Sequence, residues 1–463
     1  MGATLLLTTL RGHSVAAVTN GARMSVIRME SPSSRATTGS IHVARVVRVV
    51  NAMSSAFLEA GMSRPAYLRL SDVPSPPRNG DRLLVQVARE ARGTKGARVT
   101  GYITIPGHLA VLRPMETGVL VSRRLSDTSR GTQLREFVES VLPEGMGAIL
   151  RTAAGQAGED AIRQDIVSLC ERWEEIRARS EDAELGTCVS EEDPLHRRAL
   201  RDLRGGVDTI IVAEDLRSRA SELGLQDLSL EVEWAPRERM NQRFELDRQI
   251  DELLSRRVWL KCGGRITIDT TEAMMTIDVD TAKCTSGKDL EATALRVNLE
   301  AASAVARQLQ LRNVGGLIVI DFVDMRDPAG NASLNEWLQE VFAMDSARTN
   351  ILPISELGLV EMTRRRDRDS LSGLLQTSCT HCDGEGHVLR ASSEAWRVLD
   401  RLSSALATPG ARRVCLGVPE EILEILEGEM AAEIDMLRAQ FSGTLEVRVA
   451  ADVALGDHAL EIR

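Results

Sequence analysis

The stretch that most constrains this chain runs from Gly263 to Met325. Ala273 to Asp280 alternates apolar and polar residues over its second half, the pattern of a half-buried strand, so Asp278 and Asp280 project from one face. Thr285 and Ser286 stand where they can cap a helix whose first turn holds Asp289 and Glu291. Leu295, Leu299, Ala302, Val305, Ala306 and Leu309 give that helix one buried stripe, ending near Asn313. After Gly315-Gly316 comes Leu317-Ile318-Val319-Ile320, too short for a helix and typical of a strand covered on both faces. Strand, helix and strand predict a right-handed crossover with parallel strands. Neighbouring strands lie about 4.8 Å apart, so Asp278, Asp280 and Asp321 should converge at the carboxyl edge of the sheet, where open α/β sheets bind ligands. Clustered carboxylates repel, and without a cation at least one should take up a proton. Hard oxygen donors favour Mg²⁺ or Mn²⁺. The same spacing also suits aspartates that cap loops or form structural ion pairs.

Around this unit the chain reads as several domains, because 463 residues exceed one ordinary core. Short strand patterns occupy Thr4 to Leu10 and Ser14 to Thr19, then Ile41 to Val50, Ala56 to Glu59, Ala66 to Leu70 and Arg82 to Glu90, the last group spaced as in a small barrel. Asp160 to Glu184 is helical and acidic; Ser333 to Met344 and Ser392 to Leu406 read as helices and Asn350 to Ile354 as a strand. No apolar run approaches the roughly 20 residues that span a bilayer. MGATLLLTTLRG lacks a basic region before its apolar stretch, so the expected compartment is the cytoplasm. Seven mostly isolated cysteines argue against a disulfide framework.

A net charge of -10 requires any nucleic-acid site to be a local basic groove. Of four lysines, Lys261, Lys283 and Lys288 flank the carboxylates, and Thr363 to Ser370 (TRRRDRDS) is a dense basic cluster whose default reading is a solvated loop. Ser286-Gly287-Lys288 is not a phosphate loop: Ala282 holds the first loop position and Asp289 replaces the Ser/Thr that would bind Mg²⁺. Cys379-Thr-His-Cys382 with Asp-Gly-Glu-Gly forms a metal-binding knuckle, but zinc needs four ligands. The pair must recruit His381 or His387, stay incomplete, or be shared between two chains.

GGRITIDTTEAMMTIDVD, NLEAASAVARQLQLRNVGGLIVIDFVDM and CTHCDGEG resemble, in order and spacing, the catalytic segment of the ribonuclease E/ribonuclease G family of bacterial endoribonucleases. The resemblance, closer to the shorter ribonuclease G type, implies an α/β multidomain chain. Residues 1–38 and 194–253 would form a discontinuous ribonuclease H-like domain, interrupted by an OB-fold RNA-binding barrel at 39–100 and a 5′ end sensor at 101–193. A deoxyribonuclease I-like catalytic α/β domain would follow at 254–375, then a zinc-link knuckle at 376–388 and a small C-terminal α/β oligomerisation domain at 389–463.

For the chemistry, the resemblance implies that Asp278 and Asp321 hold a catalytic Mg²⁺, with Asp280 as a third catalytic residue at a position usually occupied by asparagine. That departure adds negative charge, which either tightens cation binding or disturbs the attacking water. Phe57, Tyr67 (a phenylalanine in the family) and Lys95 would contact single-stranded RNA. Gly107, Val111, Arg151, Thr152 and Arg348 would sense its 5′ phosphate, and Arg123, Arg124 and the basic cluster would guide it. Cys379 and Cys382 would share a structural Zn²⁺ between protomers, making a homodimer, with a tetramer also open. A cleavage-deficient RNA-binding or scaffold protein is the competing expectation.

Overall fold

The computed structural model describes residues 2–31, 38–91, 95–123, 125–225, 231–284, 290–343, 345–366, 368–382, 384–450 and 459–462. The expected caps Thr285 and Ser286, together with Gly287, Lys288, Asp289 and Arg124, lie outside the described residues. Met1–Leu374 and Leu375–Arg463 form separate compact units.

In the first unit, β1 (Ala3–Leu10), β2 (His13–Asn20) and β3 (Arg23–Glu30) form an antiparallel meander. Arg11 and Gly12, at φ 50° and 75°, make the two-residue turn between β1 and β2, where the second left-handed position suits glycine. Next come β4 (Ile41–Val50), β5 (Ser55–Glu59), β6 (Ala66–Arg69), β7 (Arg82–Arg89) and β8 (Arg98–Thr100). Pairing in the order β4-β5-β6-β8-β7 and back to β4 closes a five-stranded barrel. Its interior holds small and branched residues, among them Ala44, Val46, Ala56, Leu58, Ala66, Leu68, Val85 and Val99. Alternation therefore turns Phe57 and Tyr67 outward.

A second small sheet contains β9 (Ile105–Pro106), β10 (Ala110–Arg113), β11 (Gly118–Val121) and β12 (Gly147–Leu150), with α1 (Ser129–Val141) between the last two in sequence. The acidic helix α2 (Glu159–Asp182) buries Ile162, Ile166, Leu169, Trp173 and Ile176 against it, one stripe at helical spacing. After β13 (Cys188–Ser190), α3 (Leu195–Leu203) packs on β2 and β3, and β14 (Thr209–Ala213) and β15 (Val232–Ala235) extend the first sheet in the order β15-β14-β1-β2-β3. Residues more than 190 positions apart in the chain thus share one sheet, Thr4 pairing with Thr209.

Beyond α4 (Arg237–Phe244) and α5 (Leu246–Leu254) lies the catalytic-candidate sheet. It comprises β16 (Arg257–Trp259), β17 (Arg265–Thr270), β18 (Met274–Asp280), then α6 (Leu290–Leu311), β19 (Gly316–Asp321), α7 (Pro328–Ala343), β20 (Thr349–Ile351) and β21 (Leu359–Arg364), with α8 (Leu371–Leu375) after it. Asn313, at φ 49°, stops α6 while the Val314 N–H reaches back to the Leu309 carbonyl. Pro328 opens α7 five residues ahead of the expected start, because its missing N–H costs nothing at a first helical position and the Asp327 carboxylate accepts the Ala329 N–H at 2.9 Å.

The structure corrects two expectations here. The run Leu317–Ile320 is covered on one face: Ile318 and Ile320 are fully buried with residues of α6 and α7, whereas Leu317 is 42% exposed. Both helices lie on the same side of the sheet, which leaves the other side open. The basic cluster is likewise not simply a solvated loop. Its Thr363 and Arg364 belong to β21, and the Arg364 guanidinium is buried with the Asp345 carboxylate, at 2.7 and 3.0 Å.

In the second unit, α9 (Ala391–Leu406), β22 (Arg413–Val418), α10 (Glu420–Glu427), α11 (Ala431–Gln440), β23 (Thr444–Val449) and β24 (Ala459–Ile462) form a small α/β body, with the strands ordered β23-β22-β24. Val398, Leu402, Val414, Leu416 and Ile422 centre its core.

Candidate active site

Parallel pairing of β18 with β19 sets Ile277 beside Ile320 and Asp278 beside Asp321. Isoleucines at the first pair fill the core under the helices, so the next pair must emerge on the open face. Asp321 closes β19 and Asp278 lies two residues before the end of β18, so both stand near the carboxyl edge of the sheet. Burial, Asp321 and Asp280, in that order, push the Asp278 carboxyl above its ordinary range, while Arg265 opposes the shift. Burial is the largest cause, and the like charges of Asp321 and Asp280 on the same edge add to it.

Asp280 lies on the same face and has a partner at each oxygen. Arg265, opposite it on β17, donates at 2.6 Å, and the N–H of Ala282, itself left-handed at φ 46°, donates at 2.8 Å. Arg265 also stacks over Trp259 with 5.8 Å to the ring centroid. The buried Asn298 of α6 exchanges two hydrogen bonds with Val323, at 2.8 and 3.0 Å, and so pins the chain leaving β19. An asparagine on the apolar stripe of α6 was the sequence signal for this anchor. Among the described residues no group of three or more acidic, histidine or cysteine side chains is poised around one metal position, so the expected convergence of all three aspartates reduces to the Asp278–Asp321 pair, whose oxygens are the donor type a hard divalent cation takes together with water.

On the barrel, Phe57 and Tyr67 are register partners with ring centroids 6.0 Å apart in an edge-to-face arrangement. Arg48 pairs with Phe57 and Arg98 with Tyr67 in register, and the Arg98 guanidinium is itself paired with Asp72 at 2.7 Å. Lys95 is exposed and leads into β8, whose neighbouring Ala97 carbonyl accepts the Tyr67 N–H at 2.7 Å.

The second small sheet brings together most of the expected sensor residues. The Arg151 guanidinium donates to the Gly107 carbonyl at 2.7 Å, the Arg151 N–H donates to Leu109 at 2.8 Å, and Val111 on β10 pairs with Ile149, two residues before Arg151. The Thr152 hydroxyl meets Ser122 at 3.2 Å. The Asp165 carboxylate accepts the N–H groups of His108, Leu109 and Ala110 at 3.2, 2.9 and 3.0 Å, which fixes the Gly107 loop. A Cβ at Gly107 would sit 2.6 Å from that carboxylate, so the loop requires glycine. Arg348 stands apart from this group: it precedes β20 and, with Thr349, Asn350, Arg364 and Arg365, lines a cleft of about 310 Å³.

Cys379 and Cys382 are one turn of the knuckle apart, with Gly384 and Gly386 at positive φ. The Gly386 N–H donates to the Cys382 sulfur at 3.3 Å, and backbone donors at His381 and Cys382 hold the Cys379 thiol below its ordinary value. Sulfurs that accept N–H groups fit thiolate ligation of zinc, and two of them supply half a tetrahedral site. Among the described residues no helix is long and apolar enough to cross a membrane.

A model of the Ribonuclease E/G family matches residues 104–367. Ribonuclease G of Escherichia coli strain K12 is 31% identical over 455 residues, covering 93% of each chain. Ribonuclease E of the same organism is 32% identical over 453 residues, covering 92% of this chain and 43% of its own length. Ribonuclease G of Haemophilus influenzae is 32% identical over 399 residues, covering 81% of each chain. With the carboxylate pair, the closed barrel and the knuckle arranged as above, this chain belongs to the ribonuclease E/G family.

Proposed function

We propose that this chain is a Mg²⁺-dependent endoribonuclease that cleaves single-stranded RNA to a 3′-hydroxyl and a 5′-phosphate and reads the 5′ end of its substrate, serving ribosomal RNA processing, messenger RNA turnover or both. The register pairing of Asp278 with Asp321 at the strand tips carries the reading. These two carboxylates would hold Mg²⁺, which when bound lowers the pKa of its water and neutralises charge on the phosphodiester. Asp280, held by Arg265 and the Ala282 N–H, fixes the end of β18, and the arginine offsets its charge. Its departure from the family's asparagine therefore does not leave an uncompensated anion beside the metal, which weakens the cleavage-deficient alternative.

Phe57 and Tyr67 offer stacking faces to bases while Lys95 and Arg48 meet the backbone, the usual division of labour for single strands. Arg151 and Thr152 would grip a terminal phosphate, the guanidinium through parallel N–H donors. Cys379 and Cys382 would contribute half a zinc site completed by a second copy. The decisive experiment incubates a 5′-monophosphorylated, AU-rich strand with wild type, Asp278→Asn and Asp321→Asn in Mg²⁺. Cleavage is expected only for wild type, with RNA binding nearly equal in all three. Turnover that survives either substitution overturns the assignment.

A further inference from the structure

Arg151 is held from behind by a side chain that touches nothing of the expected substrate. Its second nitrogen donates to Asp202 Oδ1 at 2.8 Å, and Arg28 donates to Asp202 Oδ2 at 2.9 Å. Arg201 adds a bond to Oδ1 at 3.2 Å, and its carbonyl meets the His108 ring at 2.9 Å, beside Gly107. Asp202 sits on α3 with its side chain 18% exposed, and Arg28 sits on β3 with its side chain 20% exposed. The carboxylate is thus shared by three guanidiniums that would otherwise repel one another in a half-buried space. A guanidinium has five N–H donors. Two groups, the Gly107 carbonyl and Asp202, hold Arg151 and leave its remaining donors without a partner among the described residues.

Arg28 in turn belongs to β3, whose residues Ile27, Arg28 and Met29 line a small cleft with Leu311 and Asn313, at the carboxyl end of α6. α6 packs on β3, where Arg307 donates to the Met24 carbonyl at 2.9 Å, and its other end leads back toward β18 and the aspartates.

We infer that Asp202 is a positioning residue for 5′-phosphate recognition, aiming the Arg151 guanidinium at the terminal phosphate and, through Arg28, tying that aim to the sheet on which α6 rests. The inference rests on the sensor reading of Arg151. Asp202 competes with no substrate oxygen for Arg151, because its contact is on one nitrogen edge only. Replacing it by asparagine keeps the shape, but the amide NH₂ then faces arginine donors and the aim is lost.

The test measures cleavage of one RNA sequence carrying a 5′-monophosphate or a 5′-hydroxyl, by wild type, Asp202→Asn, Arg28→Met and Arg151→Ala in Mg²⁺. Binding of a 5′-monophosphorylated decanucleotide in EDTA is followed in parallel by fluorescence anisotropy. Asp202→Asn should cut the monophosphate advantage about tenfold, through KM, while the 5′-hydroxyl rate stays within about threefold of wild type. Arg28→Met should move in the same direction by less. The oligonucleotide should bind more weakly to Asp202→Asn even without metal. Equal losses on both substrates would reveal a merely structural role, and an unchanged or increased advantage would show that Asp202 does not aim Arg151; either overturns the inference. An Arg151→Ala enzyme that keeps the full advantage removes the sensor reading, and the inference with it. Loss in Arg151→Ala with retention in Asp202→Asn and Arg28→Met removes the inference alone.

Discussion

Removing the charge of Asp278 should stabilise its own domain while abolishing its chemistry. Asp278 and Asp321 are register partners on adjacent strands, and Asp278 accepts no hydrogen bond among the described residues. Taking the carboxylates about 5 Å apart, Coulomb's law gives roughly 0.8 kcal/mol at the dielectric of water and about 3 kcal/mol at an effective value near 20. Because Asp278 is solvent-exposed, the lower end applies, about 1 kcal/mol.

The pH dependence follows from the raised folded-state pKa of Asp278. Below the unfolded value both states are protonated and the penalty is absent; as pH rises through the folded value the penalty develops fully. In EDTA at pH 7.5, Asp278→Asn should therefore slow hydrogen exchange of the protected amides in β18 and α6 about fivefold, the equivalent of 1 kcal/mol. The difference should shrink towards pH 4. Mg²⁺ should protect wild type and leave Asp278→Asn unchanged, since only a site that binds the ion gains from it. Exchange in Asp278→Asn as fast as wild type at pH 7.5 without metal, or equal protection of both by Mg²⁺, would refute the clustered-charge argument.

Four further outcomes are expected. Arg364→Met leaves Asp345 buried without its counter-ion and should destabilise the first unit by about 3–5 kcal/mol in urea unfolding, with Asp345→Asn in the same chain recovering part of the loss. Asp280→Asn should weaken Mg²⁺ affinity about tenfold by disturbing the Arg265 contact while leaving the rate at saturating metal within about threefold, whereas a large rate gain would show Asp280 to be inhibitory. Phe57→Ala and Tyr67→Ala should each weaken binding of single-stranded RNA by about 1–3 kcal/mol without altering the circular dichroism, because both rings point away from the barrel core. Cys379→Ser should release bound zinc and shift sedimentation from dimer to monomer; a dimer that persists without zinc would end the shared-site reading.

How much could be read ahead depended on whether the signal was local. The strand–helix–strand unit announced itself because period 2, period 3.6 and the Gly-Gly break fall within 60 residues, and Asp278 and Asp321 followed from where the strands stop. The open face of β19 was not legible, since an apolar run does not say on which side its helices lie. Arg364 was hidden inside a charge run whose other members gave it the look of a solvated loop. Asp202, Arg28 and Asp165 were invisible for a deeper reason: each sits on an ordinary polar face, and the contacts that give it a role are distant in the chain, 174 positions for Asp202 with Arg28, 51 for Asp202 with Arg151, and 55 to 57 for Asp165 with the amides it holds.

α6 also has a mechanical meaning. It is a rod of 22 residues, hooked by Arg307 to the backbone of β3 close to one tip. From that hook to its far end is about 25 Å at 1.5 Å per residue, so each degree of tilt swings the distal tip by about 0.4 Å. Divalent-ion geometry tolerates displacements of only that order. The buried side chains that α6 carries from Ala294 to Leu311 therefore have a second task besides filling the core, which is to keep that lever still.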